Sequence, residues 1–181
     1  TGILPIKKYG THSALNMFDE FSMTNPGPLA EFVGFTEEEV AVLCKQYGRN
    51  LSELKEWYDG YHFEMARSIY SPRSVVTAIL TGICDSYWNR TETFEALRFY
   101  IDMNFEGLKD DVLSMLAGER IPVNTGTFSN DMTTFYSEDD VLTLLIHLGY
   151  LGYDFSYKEV FIPNSEVRGE YINAVAASQW G

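Results

Sequence analysis

The sequence predicts a mainly α-helical protein with a small β component, in which a helical subdomain is followed by a winged-helix-like module. Two observations lead to this fold class. Apolar residues recur at helical spacing through much of the chain up to about residue 120. Residues 139–164 then change from a helical to an alternating pattern, which predicts a helix, a glycine corner and a β-hairpin. The alternative is a helical hairpin that carries a small β-ribbon.

The helix predicted near Asp139 has apolar residues on most of its circumference, since six of the eight residues at 141–148 are apolar. We therefore expect it to be the most buried element. Its other residues form one thin polar stripe, expected to be solvated, which consists of Asp139, Asp140, Thr143 and His147. Ser137 with Asp140 three residues later predicts a capping box, and Gly149 predicts a left-handed C-cap.

After this glycine, two short strands are predicted at 150–153 and 157–162. Pro163 ends the second strand because proline has no N–H to pair. Asn164 or Ser165 then caps a closing helix. Helix, corner, hairpin and helix is the order that is typical of a winged-helix module.

The chain before residue 120 contains signals for several helix ends. Thr36 followed by three glutamates predicts a capping box, and Gly48 predicts the end of that helix. Asn50 is predicted to cap a second helix. Ser71-Pro72 predicts the start of a third, with proline at its first position. Four residues of the third helix are expected to be buried: Val75, Val76, Ile79 and Leu80.

Other segments give weaker signals. Short helices are predicted at 13–21, 93–102 and 108–117. Residues 62–70 have no periodicity and are predicted to be a loop, and residues 121–123 are a candidate strand.

Residues 2–6 are short and apolar, as at the end of a buried strand, and Pro5 limits their pairing. The rest of the chain offers this strand few partners. We therefore predict that residues 1–9 are the terminal strand of an α/β core that lies upstream. The helical subdomain is predicted at 10–120 and the winged-helix-like module at 121–181.

The formal charge of −13 argues against a nucleic-acid surface, because phosphate contacts need clustered Lys and Arg. Residues 137–181 contain two basic and seven acidic residues, so the predicted module is acidic as well. No apolar run approaches the length that spans a bilayer, so no membrane partner is expected. With no signal peptide evident, Cys44 and Cys84 are interpreted as reduced thiols and the location as cytoplasmic.

The chain has neither the GxxxxGK[ST] phosphate loop nor a GxGxxG after a strand, so no nucleotide cofactor is predicted for this chain by itself. The three histidines, His12, His62 and His147, lie far apart without metal-ligand spacing, and no metal site is predicted. His147 is interpreted as an ordinary helix-face residue.

Two groups are candidate site residues. Lys7 and Lys8 follow a strand end, where they are placed either to face a phosphate or simply to be solvated. The second group surrounds an Asp-Gly turn pair and consists of Trp57, Tyr58, Asp59 and Tyr61. Its aromatic rings either cover the edge of a core or bind a neighbouring domain.

Several motifs in one order resemble the predicted AAA-ATPase-like proteins of bacteria, and the resemblance runs nearly end to end. They are TGILPIKKYG, GFTEEEV, EWYDGYHF, IYSPRSVV, SYWNRTETFEALRFYIDMNFEGL, LLIHLGYLGYD and FIPNSEVRGEY. In that family a P-loop ATPase domain is commonly followed by a PD-(D/E)XK nuclease-like domain. One departure is Tyr70-Ser71-Pro72, where the family tends to have Tyr-Asn-Pro; serine caps a helix about as well.

The resemblance implies that the chain is the C-terminal part of the ATPase region, a helical lid followed by the winged-helix part. The phosphate loop then lies upstream and the nuclease-like domain downstream, as partners in the same polypeptide. ATP and Mg²⁺ are implied for the intact protein. Thr1 is implied as a sensor-like residue, with Lys7 and Lys8 on the nucleotide side. The alternative function is a non-catalytic winged-helix module that binds protein, and DNA binding is a distant third.

Overall fold

The computed structural model describes residues 21–88, 90–105, 107–128 and 134–178, with the backbone alone at 90–94. The strand predicted at 2–6 and nearly all of the helix predicted at 13–21 lie outside these residues, as do Thr1, Lys7 and Lys8. Within them the protein is mainly helical with a small antiparallel sheet component, as the sequence predicts. No described helix is both long and apolar enough to cross a membrane.

The described residues form seven α-helices: α1 (Glu37–Tyr47), α2 (Leu51–Tyr58), α3 (Pro72–Thr81), α4 (Arg90–Asp102), α5 (Leu108–Leu116), α6 (Glu138–His147) and α7 (Ser165–Ala177). They also form five short strands: β1 (Phe35–Thr36), β2 (Ile69–Tyr70), β3 (Ile121–Pro122), β4 (Gly152–Asp154) and β5 (Glu159–Phe161). Two 3₁₀ helices, Gly27–Phe32 and Thr125–Thr127, complete the secondary structure of this part of the chain.

Helices α1, α2 and α3 enclose a first hydrophobic core, which includes Val40, Leu54, Tyr58, Tyr70, Val75 and Ile79. The predicted helix ends are confirmed here. The Thr36 hydroxyl accepts a hydrogen bond from the Glu39 N–H, and the Glu39 carboxylate accepts one from the Thr36 N–H, which together form the capping box. Gly48 ends α1 in the left-handed conformation. Asn50 caps α2 through its side-chain oxygen.

Two predictions for the first core are confirmed only in part: Val75 and Ile79 are buried as predicted, and residues 62–68 form a loop. Val76 and Leu80 are exposed, while Ser74 and Ala78 are buried in their place, because the buried side of α3 is the one that faces α1 and α2. The predicted loop at 62–70 ends in a strand, since β2 pairs antiparallel with β1. A strand of two residues is too short to show any periodicity.

A second hydrophobic core is built from α4, α5, α6, α7 and a three-stranded antiparallel sheet. The sheet order is β3–β5–β4, so β5 is the central strand and the candidate strand at 121–123 is its partner. Val160 of β5 lies opposite both Ile121 and Tyr153. The predicted hairpin is therefore confirmed. The domain division at residue 120 stays a prediction, although α4 and α5 share this core with α6 and α7.

Helix α6 lies inside the second core, with every residue from Asp140 to Ile146 buried. The prediction of a solvated polar stripe is wrong: Thr143 is only 1% exposed and Asp140 is fully buried. The stripe is covered because the 3₁₀ helix Thr125–Thr127 and the chain before α6 pack against it. The Asp140 carboxylate accepts hydrogen bonds from the Thr127 hydroxyl at 2.9 Å and from the Tyr136 N–H at 2.8 Å.

The two ends of α6 differ from each other in how well they were predicted. Ser137 is the N-cap residue, but its side chain makes no capping hydrogen bond and Asp140 reaches Tyr136 instead, so the capping box is wrong. Gly149 has φ +83°, and the N–H of Tyr150 donates to the Leu145 carbonyl at 2.9 Å. This pattern is a Schellman motif, which confirms the glycine corner.

The Thr143 hydroxyl is buried and has no hydrogen-bond partner within the part of the chain that the structure describes. Since an unsatisfied buried polar group is unfavourable, we expect Thr143→Val, which keeps the side-chain shape, to raise the free energy of unfolding by about 1 kcal/mol. Urea denaturation measures this change. Thr127→Val is the control, because it removes the donor to Asp140 and should lower stability. A loss of stability in Thr143→Val would show that its hydroxyl has a partner after all.

Candidate functional site at the junction of the two cores

The predicted aromatic site lies where the first core meets the second. Tyr58, Asp59 and Tyr61 are buried, and Trp57 is half-buried. The Tyr58 hydroxyl donates to the Asp85 carbonyl and accepts from the Asp85 N–H, both at 2.9 Å. This pair of bonds fixes the loop between α3 and α4 against the end of α2.

The next two residues of the segment contact the other half of the chain. The Tyr61 hydroxyl donates to the carbonyl of Gly149, at the corner that ends α6, at 2.8 Å. The backbone of Gly60 lies directly against Pro163: a Cβ added to Gly60 would be 2.0 Å from the proline carbonyl oxygen. Gly60 also has φ +110°, a conformation in which only glycine is free of strain.

Asn164 joins the same segment to the start of α7. Its side-chain N–H donates to the Asp59 carbonyl at 2.7 Å, and its side-chain oxygen accepts from the Val167 N–H at 3.0 Å. One side chain thus caps α7 and ties it to the end of α2. The predicted cap is confirmed, whereas the bond to Asp59 links residues 105 positions apart and has no signal in the sequence.

Glu166, in the first turn of α7, is the most deeply buried of the junction's acidic residues Asp59, Glu166 and Glu170, with 1% of its surface exposed. Its carboxylate accepts hydrogen bonds from the Ser74 hydroxyl of α3 at 2.8 Å and from the Tyr87 N–H at 2.8 Å. The pKa of Glu166 is raised to about 7, chiefly because the carboxyl group is buried and to a smaller extent because the carboxylates of Glu170 and Asp85 lie nearby. Its two hydrogen bonds oppose this shift without cancelling it.

An open cleft of about 540 Å³ adjoins Glu166. It is lined by Trp57, Asp85, Ser86, Ser165, Glu166, Gly169, Glu170 and Asn173. None of these lining residues is basic. The Ser86 hydroxyl donates to Glu170 at 2.9 Å, so the loop after α3 is bound to α7 at a second point. Acidic residues from both halves of the chain therefore line one space, with Glu166 and Glu170 largely buried at its wall.

The structure brings together the four predicted residues around Gly60, whereas Thr1, Lys7 and Lys8 lie outside the described residues. Tyr58, Asp59 and Tyr61 each form a hydrogen bond with a distant part of the same chain: the loop after α3, the cap of α7 and the corner after α6. Binding of a separate domain by this group stays a prediction. Ser74, Glu166 and Glu170 were not predicted as site residues, because their significance arises from pairing between helices distant in sequence.

Neither of the two described histidines, His62 and His147, lines the cleft beside Glu166. His147 stacks on Phe128, with ring centroids 5.5 Å apart, and burial lowers its pKa. The His62 ring is hydrogen-bonded to the Arg67 carbonyl. Among the described residues no group of three or more His, Cys, Asp or Glu is placed to hold a metal ion.

Comparison with protein-family models, curated proteins and solved structures finds no match for this chain. Membership of the AAA-ATPase-like family therefore stays a prediction that rests on the sequence motifs.

Replacing Gly60 tests the close contact at the junction. We expect Gly60→Ala to lower the free energy of unfolding by about 2–5 kcal/mol, because it adds overpacking against Pro163 to the strain of a positive φ. Gly118 is the matched control: it has φ +96° but open space around the added Cβ. Gly118→Ala should therefore cost about 1–2 kcal/mol, from strain alone. Equal losses in the two variants, measured by chemical denaturation, would contradict the contact.

Proposed function

We propose that this chain is the helical and winged-helix C-terminal portion of a P-loop ATPase similar to the bacterial AAA-ATPase-like proteins. In the intact protein it would close over the nucleotide and carry conformational change to a neighbouring domain, without catalysing hydrolysis itself. The observation that carries the proposal is the polar junction, at Gly60, Asn164 and Glu166, between two separate hydrophobic cores. Two bodies joined through a polar contact can move relative to each other more readily than one continuous core.

The winged-helix interpretation is supported by the order of elements. Helix α5, strand β3, helix α6, the β4–β5 hairpin and helix α7 follow one another, and α6 packs inside the module. The hairpin turn between β4 and β5 is the proposed wing. It projects two exposed aromatic side chains, Phe155 and Tyr157.

The proposed partners are parts of the same polypeptide: a P-loop core upstream and a nuclease-like domain downstream. Thr1, Lys7 and Lys8 would then lie on the nucleotide side of that core. ATP and Mg²⁺ would be cofactors of the intact protein, held by the P-loop core and its acidic partner residue. A cytoplasmic location belongs to the same proposal.

The second candidate is a non-catalytic winged-helix module that binds protein. The exposed aromatics of the hairpin turn favour it, because aromatic side chains are enriched at protein interfaces. The native gene decides between the two candidates. A phosphate loop encoded upstream, followed by an acid-ended strand, supports the ATPase proposal; an upstream region without either supports the binding module.

We expect this chain alone to show no tight, saturable binding of Mg·ATP, because it lacks the phosphate loop that holds the β- and γ-phosphates. Isothermal titration calorimetry of the chain and of the complete gene product measures the difference. Saturable binding by the complete product alone is the expected result. Tight binding by the isolated chain, or none by either protein, would contradict the proposed function.

We also expect no salt-sensitive binding of duplex DNA. The net charge of −13, with two basic and seven acidic residues at 137–181, leaves too few cations to neutralise phosphates. A gel-shift titration with random duplex at several salt concentrations measures this. Binding that tightens steeply as salt is lowered would instead revive the DNA-binding interpretation.

A further inference from the structure

We propose that Glu166 is a proton-controlled latch between the two cores: the junction is firm when its carboxyl group is protonated and loosens when the group ionises. The proposal concerns this chain's own residues and does not depend on the parent protein being an ATPase. It assigns to the junction a response to pH that the sequence motifs do not suggest.

The geometry makes Glu166 the group that spans the junction. It belongs to α7, which packs on α4 in the second core. Its carboxylate binds Ser74 of α3, which lies beside the first core, and the Tyr87 N–H of the loop between α3 and α4. Separating the two cores at this point therefore requires these hydrogen bonds to break and the carboxyl group to enter water.

The acidic groups beside Glu166 favour its neutral form, against the two hydrogen-bond donors Ser74 and Tyr87. Glu170 on α7 and Asp85 in the loop after α3 add negative charge beside it. The other titratable groups that interact with it are the hydroxyls of Tyr58, at the end of α2, and Tyr61, in the segment that follows. Among the described residues, none of those that line the adjoining cleft is basic. Ionisation thus places an uncompensated charge in a buried site next to other carboxylates.

The direction of the pH effect follows from the two pKa values. The pKa of Glu166 is about 7 in the folded protein against 4.5 for an ordinary glutamate. The folded state therefore retains the proton to higher pH than the open or unfolded state does. Stability from the protonated group is fully present below pH 4.5, declines as the pH rises, and is lost above about 7.

The Tyr87 N–H is a direct reporter, because it donates to the Glu166 carboxylate. We expect its NMR chemical shift to titrate with a midpoint between about 6 and 8 in the wild-type protein. Glu166→Gln, a neutral mimic of the protonated group, should abolish this titration. Amide exchange at Tyr87 and in the first turn of α7 should be about tenfold faster in the wild type than in Glu166→Gln at pH 8, and equal at pH 5.

Two further variants complete the test. Glu56→Gln changes an exposed carboxylate on α2 and should leave the Tyr87 titration unchanged. Ser74→Ala removes a hydrogen-bond donor that favours the ionised form of Glu166, so it should move the midpoint of the Tyr87 titration to higher pH. If Glu166→Gln does not fold, this upward shift is the test of whether Glu166 is the titrating group. A midpoint below pH 5.5, a titration that persists in Glu166→Gln, or equal exchange rates at pH 8 would overturn the proposal.

Discussion

The close approach of Gly60 to Pro163 is the constraint on which the rest of the structure depends. With no side chain at Gly60, the end of α2 and the start of α7 can lie in backbone contact. That contact brings Asn164 within reach of the Asp59 carbonyl, and it places the first turn of α7 where Glu166 can bind Ser74. Helix α7 also packs on α4 in the second core. A larger residue at position 60 would displace all of these contacts together, because they share one short stretch of backbone.

The second core depends in turn on a helix that is enclosed on all sides. Burying α6 completely requires partners for polar groups that would otherwise face solvent. The Schellman motif after the helix satisfies its last carbonyls, and Asp140 is satisfied by Thr127 and Tyr136. The exceptions among the described residues of this half of the chain are three hydroxyls that are buried without a hydrogen-bond partner: those of Ser137, Thr143 and Tyr171. The enclosure is therefore maintained by hydrophobic packing, and these polar groups lower the stability.

Local signals explain how much of the fold the sequence predicts. The Thr36 capping box, the left-handed glycines at 48 and 149, and the Asn164 cap each depend on residues within one turn. The predictions that failed depend on distant contacts. On α3, Val76 is exposed and Ser74 is buried, because contacts with α1 and α2 decide which side of the helix faces the core. On α6, the residues of the polar stripe do not themselves indicate which other part of the chain packs against them. The sequence identified the aromatic segment around Gly60, but not Glu166, whose partners lie 92 and 79 positions away.

The composition of the junction explains why it joins two cores without merging them. The rings of Tyr58 and Tyr61 are buried, while their hydroxyls donate hydrogen bonds to backbone carbonyls. Each tyrosine therefore has its apolar ring in a hydrophobic cluster and its polar end in the junction. Ser74, Asn164 and Glu166 continue that polar layer between the helices. Apolar residues at these positions would fuse the two cores and remove the desolvation cost of the carboxylate. A buried glutamate instead keeps the junction specific in geometry, and under the proposal of a proton-controlled latch it also makes the junction sensitive to pH.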